Sequence, residues 1–417
     1  KIIKLDPKIV DGEIFCPHFF HGMQNGECKV QTDNPNDEFW ISNSAPLWKV
    51  GCWGCKWQML SYPNQLKLKE DIVNDAFTKL KKKLPKLQIL SIIGSPQEKQ
   101  YRNKIEFSFG KYITKGQGIS NEGQGLWTKS QVPDSNIILS NRSCGFHKQG
   151  EFSKIVDIDH CSLISDEANA IYNHIKELCR SSGLPVYDQM THQGFFRHIV
   201  IRQGMNTDQF LVNLAVSDNN LKTKNEKQRN RLLDTFKTDE FLQKNVNTFV
   251  ITYNNGLADI VRSQDYKTKT CRWAGYIHEV LQFKTSHIKK QISKISLDEK
   301  NEDSSFIDVI FRISPFSFFQ TNTLWAQQLF SQAMSMVGYV EWTILDLYCG
   351  TGSIGISFLK SGKWNKLVGI EIIEDAIIDA RQNAKINGID KEVIFLAAPA
   401  EKVFLQNPEI KEKLDNL

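Results

Sequence analysis

The sequence contains no apolar run that approaches the roughly 18 residues needed for a membrane-spanning helix. Its longest apolar stretches, such as residues 87–93, have the length of buried strands. The first residues lack the apolar segment of a secretory signal. We find no internal repeat and no extended low-complexity tract. These absences argue against membrane-spanning, fibrous and repeat proteins, and we expect a globular protein.

Neither sign of charge dominates the chain. Its 417 residues include 52 lysines and arginines against 47 acidic residues, which gives a net charge of +5. This mild excess permits a phosphate-rich partner without requiring one, because nucleic-acid modules usually concentrate positive charge more strongly. A hydrophobic content of 41% is ordinary for a globular protein, and this length suggests several domains.

The nine cysteines are an odd number, and no secretion signal accompanies them. We therefore expect thiols or metal ligands in a reducing compartment, the cytoplasm, and no disulfides. Cys52 and Cys55 form a C-x-x-C pair within an irregular segment, residues 1–60. Such a pair occurs in zinc knuckles, redox centres and iron–sulfur sites, but the βαβ context of a redox pair is missing here.

A metal site at this pair needs two further ligands. Cys16 and Cys161 are candidates, Cys28 competes with Cys16, and Cys161 also fits a small buried core residue. Spacing does not decide between zinc and an iron–sulfur cluster, since thiolates suit both. The remaining cysteines are expected to be packing residues: Cys144, Cys179, Cys271 and Cys349.

Hydrophobic periodicity predicts a helix over residues 64–84, with an apolar stripe and a lysine-rich end that we interpret as a solvated face. Residues 100–312 alternate in the manner of strands, at 104–109, 197–202, 210–216 and 249–253. One helix, residues 166–180, interrupts them, with Ser165 as its N-cap. Residues 290–305 are polar and are expected to form an exposed insertion.

From about residue 319 the pattern changes to alternating helices and strands. Strands are predicted at 343–348, 367–371 and 393–397, and helices at 323–336, 355–359 and 374–387. This βαβαβ order is half of a doubly wound sheet.

A glycine-rich turn follows the first of these strands. Gly350, Gly352 and Gly355 satisfy G-x-G-x-x-G, and Glu371 lies at the end of the next strand, where an acid can accept ribose hydroxyls. The turn suits a dinucleotide or S-adenosylmethionine (SAM). Asp346 favours SAM, because a carboxylate near the turn would repel a pyrophosphate, whereas SAM carries a sulfonium cation.

These features coincide with one family. The chain resembles the bacterial RNA uridine carbon-5 methyltransferases, the TrmA/RumA family, and is most similar to the cluster-containing branch that acts on 23S ribosomal RNA. The resemblance runs from Cys16 to the last residue. The matching stretches are residues 16–19, 51–58, 101–107, 156–161, 196–202, 314–322 and 345–352.

The resemblance implies a 4Fe-4S cluster and SAM as cofactors, and RNA as partner. The implied cluster ligands are Cys16, Cys52, Cys55 and Cys161. The implied SAM contacts are Gln320, Tyr348, Gly350, Gly352, Ser353 and Glu371. For RNA we consider Arg102, Lys104, Arg197 and Arg202, each of which could equally form a strand-face salt bridge.

The expected fold is α/β plus β-rich, in four parts. Residues 1–60 form the iron–sulfur segment, and 61–88 a helix that packs on the methyltransferase domain. Residues 89–312 form a central β-rich RNA-binding domain, and 313–417 the first half of a Rossmann-like SAM-binding domain. We expect a monomer when the protein is complete, with 23S ribosomal RNA favoured over transfer RNA.

The sequence also departs from the family. Cys16 and Cys52 are much further apart than the family's first two cluster cysteines, and Pro399 stands where a polar residue usually approaches the adenine. The family's Asp-Pro-Pro-Arg motif, its nucleophilic cysteine and its glutamate base do not occur. We therefore expect these groups to follow Leu417. We expect the given chain to be a fragment that is inactive alone, with an exposed apolar strand edge at residues 344–348.

Cys349 lies in the glycine turn and is not expected to replace the missing nucleophile. Two rival functions remain open from the residues. One is an RNA-binding iron–sulfur protein without catalysis, and the other is a nucleotide-dependent oxidoreductase built on the glycine turn.

Overall fold

The structure is a computed structural model of the chain. It describes residues 54–55, 57–58, 60–115, 137–148, 151–218, 223–272, 274–284, 306–337, 343–362 and 364–401. Three of the cysteines considered as cluster ligands, Cys16, Cys28 and Cys52, lie outside the described residues, as does the expected insertion at 290–305. No helix within the described ranges is both long and apolar enough to cross a membrane.

A seven-stranded sheet forms the centre of the described chain. Its strands are β1 (Lys104–Lys115), β2 (Ile137–Lys148), β3 (Glu151–Asp157), β4 (Phe196–Gly204), β5 (Gln209–Val216), β6 (Thr248–Tyr253) and β7 (Lys267–Arg272). The order across the sheet is β2-β3-β1-β4-β5-β6-β7, with β1 also paired to β2. Neighbours β4 and β5 run antiparallel, β5 and β6 parallel, and β6 and β7 antiparallel.

Helix α2 (Asp166–Ser181) covers one part of this sheet. The Ser165 side chain accepts a hydrogen bond from the Ala168 amide, which confirms it as the N-cap. Tyr172 on the buried face of the helix stacks on Phe107 of β1, with 3.9 Å between ring centroids. Its hydroxyl group contacts the buried carbonyls of Cys144 and Ile158 at 2.7 and 3.0 Å. Helices α3 (Thr223–Thr238) and α4 (Glu240–Asn245) lead into β6.

A second unit contains the predicted βαβαβ order. It comprises α5 (Thr323–Met336), β10 (Thr343–Leu347), α6 (Ser353–Lys360), β11 (Lys366–Glu371), α7 (Glu374–Ile386) and β12 (Val393–Ala397). The three strands are parallel in the order β10-β11-β12. This confirms the predicted topology, and the observed bounds differ from the predicted ones by at most two residues at each end.

The hairpin of β8 (Ile277–Lys284) and β9 (Phe306–Ile313) belongs to this second unit by packing. Its buried side chains share one hydrophobic cluster with Phe330, Ile356 and Ile377. Asn383 of α7 and Asn387, the C-cap of that helix, accept hydrogen bonds from the β9 amides of Arg312 and Ile310, at 2.7 and 3.0 Å. Strand β8 and nearly all of β9 fall within residues 89–312, which we expected to form the central β-rich domain.

Two apolar surfaces remain exposed within the described chain. Strand β10 pairs there with β11 alone, and its Leu345 and Leu347 are 45% and 44% exposed, in agreement with the exposed edge that we expected. Helix α1 (Tyr62–Lys83) has the predicted apolar stripe. None of its side chains is buried by the described residues, so its expected packing on the methyltransferase domain stays a prediction.

We predict that Gly355→Ala destabilises the second unit by about 1–3 kcal/mol through overpacking. A Cβ at this position would lie 2.5 Å from Leu367 Cδ1 and 3.0 Å from Asp346 Oδ2, where α6 approaches β10 and β11. Urea denaturation would measure the change. Ile354→Ala, on the exposed side of the same helix turn, is the control and should cost clearly less. Equal losses in both variants would contradict the close-packing role of Gly355.

Candidate cofactor-binding site

The glycine turn between β10 and α6 adopts a conformation that glycine favours. Gly350 and Gly352 have φ values of +54° and +77°, in the left-handed region. A Cβ built on Gly350 would meet nothing within 4 Å, so this side of the turn is open to a ligand. Tyr348 precedes them with φ +58°, a conformation that is uncommon for a bulky residue and that often marks a functional site.

Two carboxylates hold this turn. Asp346 Oδ2 accepts the Gly355 amide at 3.0 Å, near the N-terminus of α6. Burial raises the pKa of Asp346, while this hydrogen bond opposes the shift. Glu371 Oε2 accepts the Gly350 amide at 3.2 Å, and its Oε1 accepts the Ile373 amide at 3.0 Å. Glu371 is therefore fixed at the carboxyl end of β11, beside the open face of Gly350.

A cavity of about 390 Å³ lies against this turn. Such a volume lies within the range of small-molecule sites in proteins. Among the described residues that line it, three carry a carboxylate and one carries a permanent positive charge. The charged lining residues are Glu371, Asp375, Asp379 and Arg262. The lining residues therefore carry more negative than positive charge, and Arg312 Nε, outside the lining, lies 3.8 Å from Asp379 Oδ1.

The lining includes only part of the predicted ligand set. Gly350 and Glu371 are lining residues, as predicted, whereas Gln320, Tyr348, Gly352 and Ser353 are not. The Tyr348 side chain is 69% exposed. The backbone carbonyl of Gln320 accepts a hydrogen bond from the Asn103 side chain at 2.8 Å. The roles of these four residues therefore stay predictions.

Sequence reasoning missed the residues that line the opposite part of the cavity. Arg262 and Tyr266 come from the connection between β6 and β7 of the central sheet, and Phe316 from the segment after β9. Arg262 Nη1 lies 3.0 Å from Asp375 Oδ2, in the first turn of α7. Its guanidinium group lies 5.0 Å from the Tyr266 ring and 5.1 Å from the Phe316 ring. No periodicity marks Arg262 in the sequence, since it lies in a loop.

Two of the arginines considered for RNA binding serve the fold instead. Arg197 is 2% exposed, and its guanidinium group donates to the carbonyls of Asn254 and Gly256 at 3.0 and 2.5 Å and to that of Ala258. Arg202 is also buried, and its Nη2 donates to the Ser317 carbonyl at 2.5 Å. Both guanidinium groups form hydrogen bonds with backbone carbonyls. Their observed partners are therefore neither the phosphate nor the strand-face carboxylate that we considered.

The other two basic candidates are half-buried. Arg102 Nε donates to the Lys104 carbonyl at 2.9 Å. Burial, followed by the nearby Arg202 charge, lowers the pKa of Lys104. These observations do not test an RNA contact, and both residues stay candidates.

The two described cluster candidates approach the same tyrosine. Cys55 packs against the hydrophobic cluster that contains Cys161. The pKa of Tyr101 is raised, by burial first and also by negative charge at Cys55 and Cys161, which lie near its hydroxyl group. Asn169 fixes the Cys161 backbone, accepting its amide at 2.8 Å and donating to its carbonyl at 3.1 Å.

A cavity of about 690 Å³ adjoins Cys55, and Tyr62, Tyr101 and Trp325 are among its lining residues. Within the described ranges, no group of three or more His, Cys, Asp and Glu side chains is arranged to hold a metal ion. Of the four predicted ligands, Cys55 and Cys161 belong to the described residues, and the cluster stays a prediction.

The thiol in the glycine turn is not a nucleophile. Cys349 is buried, and burial raises its pKa to about 12, with Asp346 and Glu371 adding to the shift. Because the thiolate is the reactive form, such a group is inert near neutral pH. This agrees with the expectation that Cys349 does not replace the missing catalytic cysteine.

The fold and the cavity together define a class. A parallel βαβαβ unit with a glycine turn, an acid at the end of the next strand and a cavity beside both belongs to the Rossmann-like, cofactor-binding domains. Residues 340–416 match the family model of a methyltransferase domain. This match includes the glycine turn, Glu371 and helix α7.

Curated relatives extend the similarity to the rest of the chain. An RNA methyltransferase of Clostridium acetobutylicum is 31% identical over 88% of this chain and 66% of its own length. An RNA methyltransferase of Caldanaerobacter subterraneus is 30% identical over 87% of this chain and 66% of its own length. The chain therefore belongs to the RNA methyltransferase family of these relatives. It spans 66% of their length.

A solved structure supports the fold. The tRNA (uracil-54, C5)-methyltransferase of Pyrococcus abyssi, in complex with S-adenosyl-L-homocysteine, superposes with a TM-score of 0.53. It is 24% identical, and the alignment covers 84% of this chain and 65% of that one. At this identity the comparison supports the shared architecture.

Two histidines, of which His198 is buried, flank Asp259 in the loop that leads to Arg262. Asp259 lies between His147 Nε2 at 2.9 Å and His198 Nε2 at 3.3 Å. Burial lowers the pKa of His198 to about 4. Burial also lowers the pKa of His147, but hydrogen bonds to Asp259 and the Phe152 carbonyl outweigh this effect and raise it overall. Burial raises the pKa of Asp259, yet the two histidines outweigh burial and lower it.

We predict that acid destabilises the protein through His198. The unfolded chain binds a proton at an ordinary histidine pKa, whereas folded His198 stays neutral down to a pKa of about 4. Stability is therefore lost as the pH falls from about 6.5 to about 4, by roughly 3 kcal/mol for this group. His147, with its raised pKa, has the opposite dependence.

Urea denaturation at several pH values would test this in His198→Asn. The variant should lose free energy of unfolding less steeply over this pH range than the parent protein does. His192→Asn, at an exposed histidine, is the matched control and should keep the parent slope. An unchanged slope in His198→Asn would refute the assignment.

Proposed function

We propose that this chain is the larger part of a SAM-dependent RNA uridine carbon-5 methyltransferase that also holds a 4Fe-4S cluster. Its membership of the RNA methyltransferase family supports the reaction class. The methyltransferase domain match at residues 340–416 supports the cofactor class. The carbon-5 position rests on the sequence resemblance, and the same position is named for the structural relative from Pyrococcus abyssi.

One observation carries the choice of cofactor. The cavity beside Gly350 is lined by three carboxylates against one guanidinium group, which already pairs with Asp375. A dinucleotide would bring an anionic pyrophosphate to this wall, at a cost in Coulomb energy. SAM has no phosphate and carries a sulfonium cation, so the charge of the cavity suits it.

Bound SAM supplies the methyl group of the reaction. The residues of this chain bind and orient it. Glu371 presents a carboxylate, fixed by the Gly350 and Ile373 amides, that can accept hydrogen bonds from ribose hydroxyls. Gly350 leaves space for close approach of the ligand to the backbone.

Methylation of carbon-5 requires catalytic groups besides these cofactor-binding residues. Carbon-5 of uracil is a poor nucleophile, and addition of a cysteine thiolate to carbon-6 makes it reactive. Once carbon-5 has received the methyl group, a base removes the proton from that carbon, and the cysteine is expelled from carbon-6. The inert thiol of Cys349 cannot provide this step. We propose that the nucleophile and the base belong to sequence outside these 417 residues, in the complete protein.

RNA is the proposed substrate, and the target base must leave its stack to reach the cofactor. The cysteine pattern of the cluster-containing branch favours 23S ribosomal RNA. The structural relative is named for transfer RNA, which is the alternative. Methylation assays of the complete protein with each RNA would decide between them, and binding of RNA without methyl transfer would favour a non-catalytic role.

We further propose Cys16, Cys52, Cys55 and Cys161 as the cluster ligands. The packing of Cys55 against the hydrophobic cluster that contains Cys161 supports this set. Asn169, which binds both backbone polar groups of Cys161, would hold that ligand in place before the cluster is assembled.

We predict that Glu371→Gln weakens SAM binding by about tenfold or more, because a charged acceptor of two ribose hydroxyls becomes a neutral one. Isothermal titration calorimetry would measure the dissociation constant. Glu392→Gln, an exposed glutamate of the same domain, is the control and should bind as the parent does.

A thermal-shift comparison of SAM with NAD would test the cofactor class in the same proteins, since a ligand stabilises the state it binds. We expect SAM to raise the melting temperature of the parent protein. Stabilisation by NAD and not by SAM would overturn the proposed function and favour an oxidoreductase.

We predict that Cys161→Ser abolishes the brown colour and lowers the iron and acid-labile sulfide content of the purified protein. Serine is a poor ligand for a cluster that prefers thiolates. Cys179→Ser is the matched control, because Cys179 is a buried core residue that we expect to pack only. Full iron content in Cys161→Ser would exclude this residue as a ligand. Loss of the fold on aerobic bleaching would indicate a structural cluster.

A further inference from the structure

We propose that Arg262, which the central sheet contributes, is a positioning residue for the adenosyl cofactor of the methyltransferase domain. This inference rests on the proposed function, since it takes SAM as the ligand of the cavity. The cofactor site would then be built from both units of the chain. A methyltransferase domain alone would then lack one side of its own cofactor cavity.

The geometry around Arg262 fixes its guanidinium group in one orientation. The group pairs with Asp375 at 3.0 Å and lies beside both the Tyr266 and the Phe316 ring, 5.0 and 5.1 Å from their centroids. The two rings meet edge to face, with centroids 5.0 Å apart. A planar guanidinium group can stack on rings and bind a carboxylate at once, which a lysine cannot reproduce.

This arrangement is poorly explained by stability alone. The side chains of Arg262 and Asp375 are 32% and 62% exposed. Ion pairs with this degree of exposure contribute little to folding. The cavity beside Gly350 and Glu371 is, however, lined by both members of the ion pair and by the Tyr266 and Phe316 rings. Their shared location at the cavity favours a role in ligand binding.

The loop before Arg262 is held firmly by the central sheet. Arg197 donates to the carbonyls of Asn254, Gly256 and Ala258. The Asn254 side chain donates to the Ile260 carbonyl at 2.6 Å, two residues before Arg262. Asp259 is bound between two histidines. The position of Arg262 is therefore set by the central sheet and not by the cofactor domain.

The ion pair has two consequences for the cavity. It holds the first turn of α7, which begins three residues after Glu371, against the central-sheet loop. It also neutralises one of the three lining carboxylates. Without Arg262 the wall would lose this contact and become more negative. Loss of the contact should weaken the binding of any adenosyl ligand. The more negative wall should partly offset this loss when the ligand is a cation.

Isothermal titration calorimetry with SAM and with S-adenosyl-L-homocysteine (SAH) on the complete protein would separate these effects. SAM carries one more positive charge than SAH. For Arg262→Met we expect SAH binding to weaken by about tenfold and SAM binding by clearly less. Arg262→Lys, which keeps the charge but loses the planar stack, should weaken both ligands to a similar degree.

Substitution of Asp375, the ion-pair partner of Arg262, provides a second test. Asp375→Asn should also weaken both ligands. For SAH, the double variant Arg262→Met with Asp375→Asn should be no worse than Arg262→Met alone, because both substitutions remove one interaction. For SAM, the double variant should be weaker than Arg262→Met alone, because Asp375→Asn also removes the negative charge that compensates the cationic ligand. Lys237→Met, which breaks an exposed ion pair with Asp234 in α3, is the control and should leave both affinities unchanged.

The outcomes are distinguishable. A parent protein that binds neither SAM nor SAH would refute the proposed function, and the role of Arg262 with it. A parent protein that binds both, with unchanged affinities in Arg262→Met and Asp375→Asn, would refute the role of Arg262 alone. Equal losses of SAM and SAH in Arg262→Met would overturn the charge effect. Melting temperatures of every variant would identify any loss caused by unfolding.

Discussion

Buried hydrogen bonds between the central sheet and the segment that joins β9 to α5 determine where the cofactor cavity lies. The Asn103 side chain of the central sheet's unit donates to the Gln320 carbonyl and to the Thr323 hydroxyl. Thr323 in turn donates to Glu279 at 2.7 Å. Glu279 is buried, and it also accepts the backbone amides of Met205 and Asn206. Because a buried carboxylate is stable only when its oxygens are satisfied, these contacts resist any displacement of the two units.

This junction explains why the cavity has walls of different origin. One wall is the glycine turn with Glu371, a feature of the Rossmann-like unit. The other is a loop of the central sheet, which reaches α7 through the Arg262–Asp375 pair. If RNA binds the central sheet, as we propose, the same rigid junction would fix the RNA relative to the cofactor. Small displacements matter for methyl transfer, because bimolecular reactions depend on reactant alignment.

Local patterns were sufficient to predict the methyltransferase unit. Its strands alternate with helices in a fixed order, and the spacing of Gly350, Gly352, Gly355 and Glu371 identified the turn and its acid. Patterns were insufficient for Arg197 and Arg202 of β4, which we considered for an RNA contact or a strand-face salt bridge. All nine residues of β4 are buried, so the sheet is covered on both sides. Period-two alternation indicates which residues share a face, but not whether that face meets water.

Arg262 was beyond prediction for a different reason. It has no neighbour in sequence that marks it, and Asp375 follows more than a hundred residues later. Its placement depends on a chain of contacts that begins with Arg197, a buried cation that lies 4.1 Å above the Tyr187 ring and binds the loop carbonyls. Burial lowers the pKa of Arg197, and the charge of Asp259 within the same loop opposes this shift. The loop carbonyls thus satisfy the guanidinium group of the arginine that holds them. Because these contacts fix the loop at the edge of the central sheet, they direct Arg262 at the cavity.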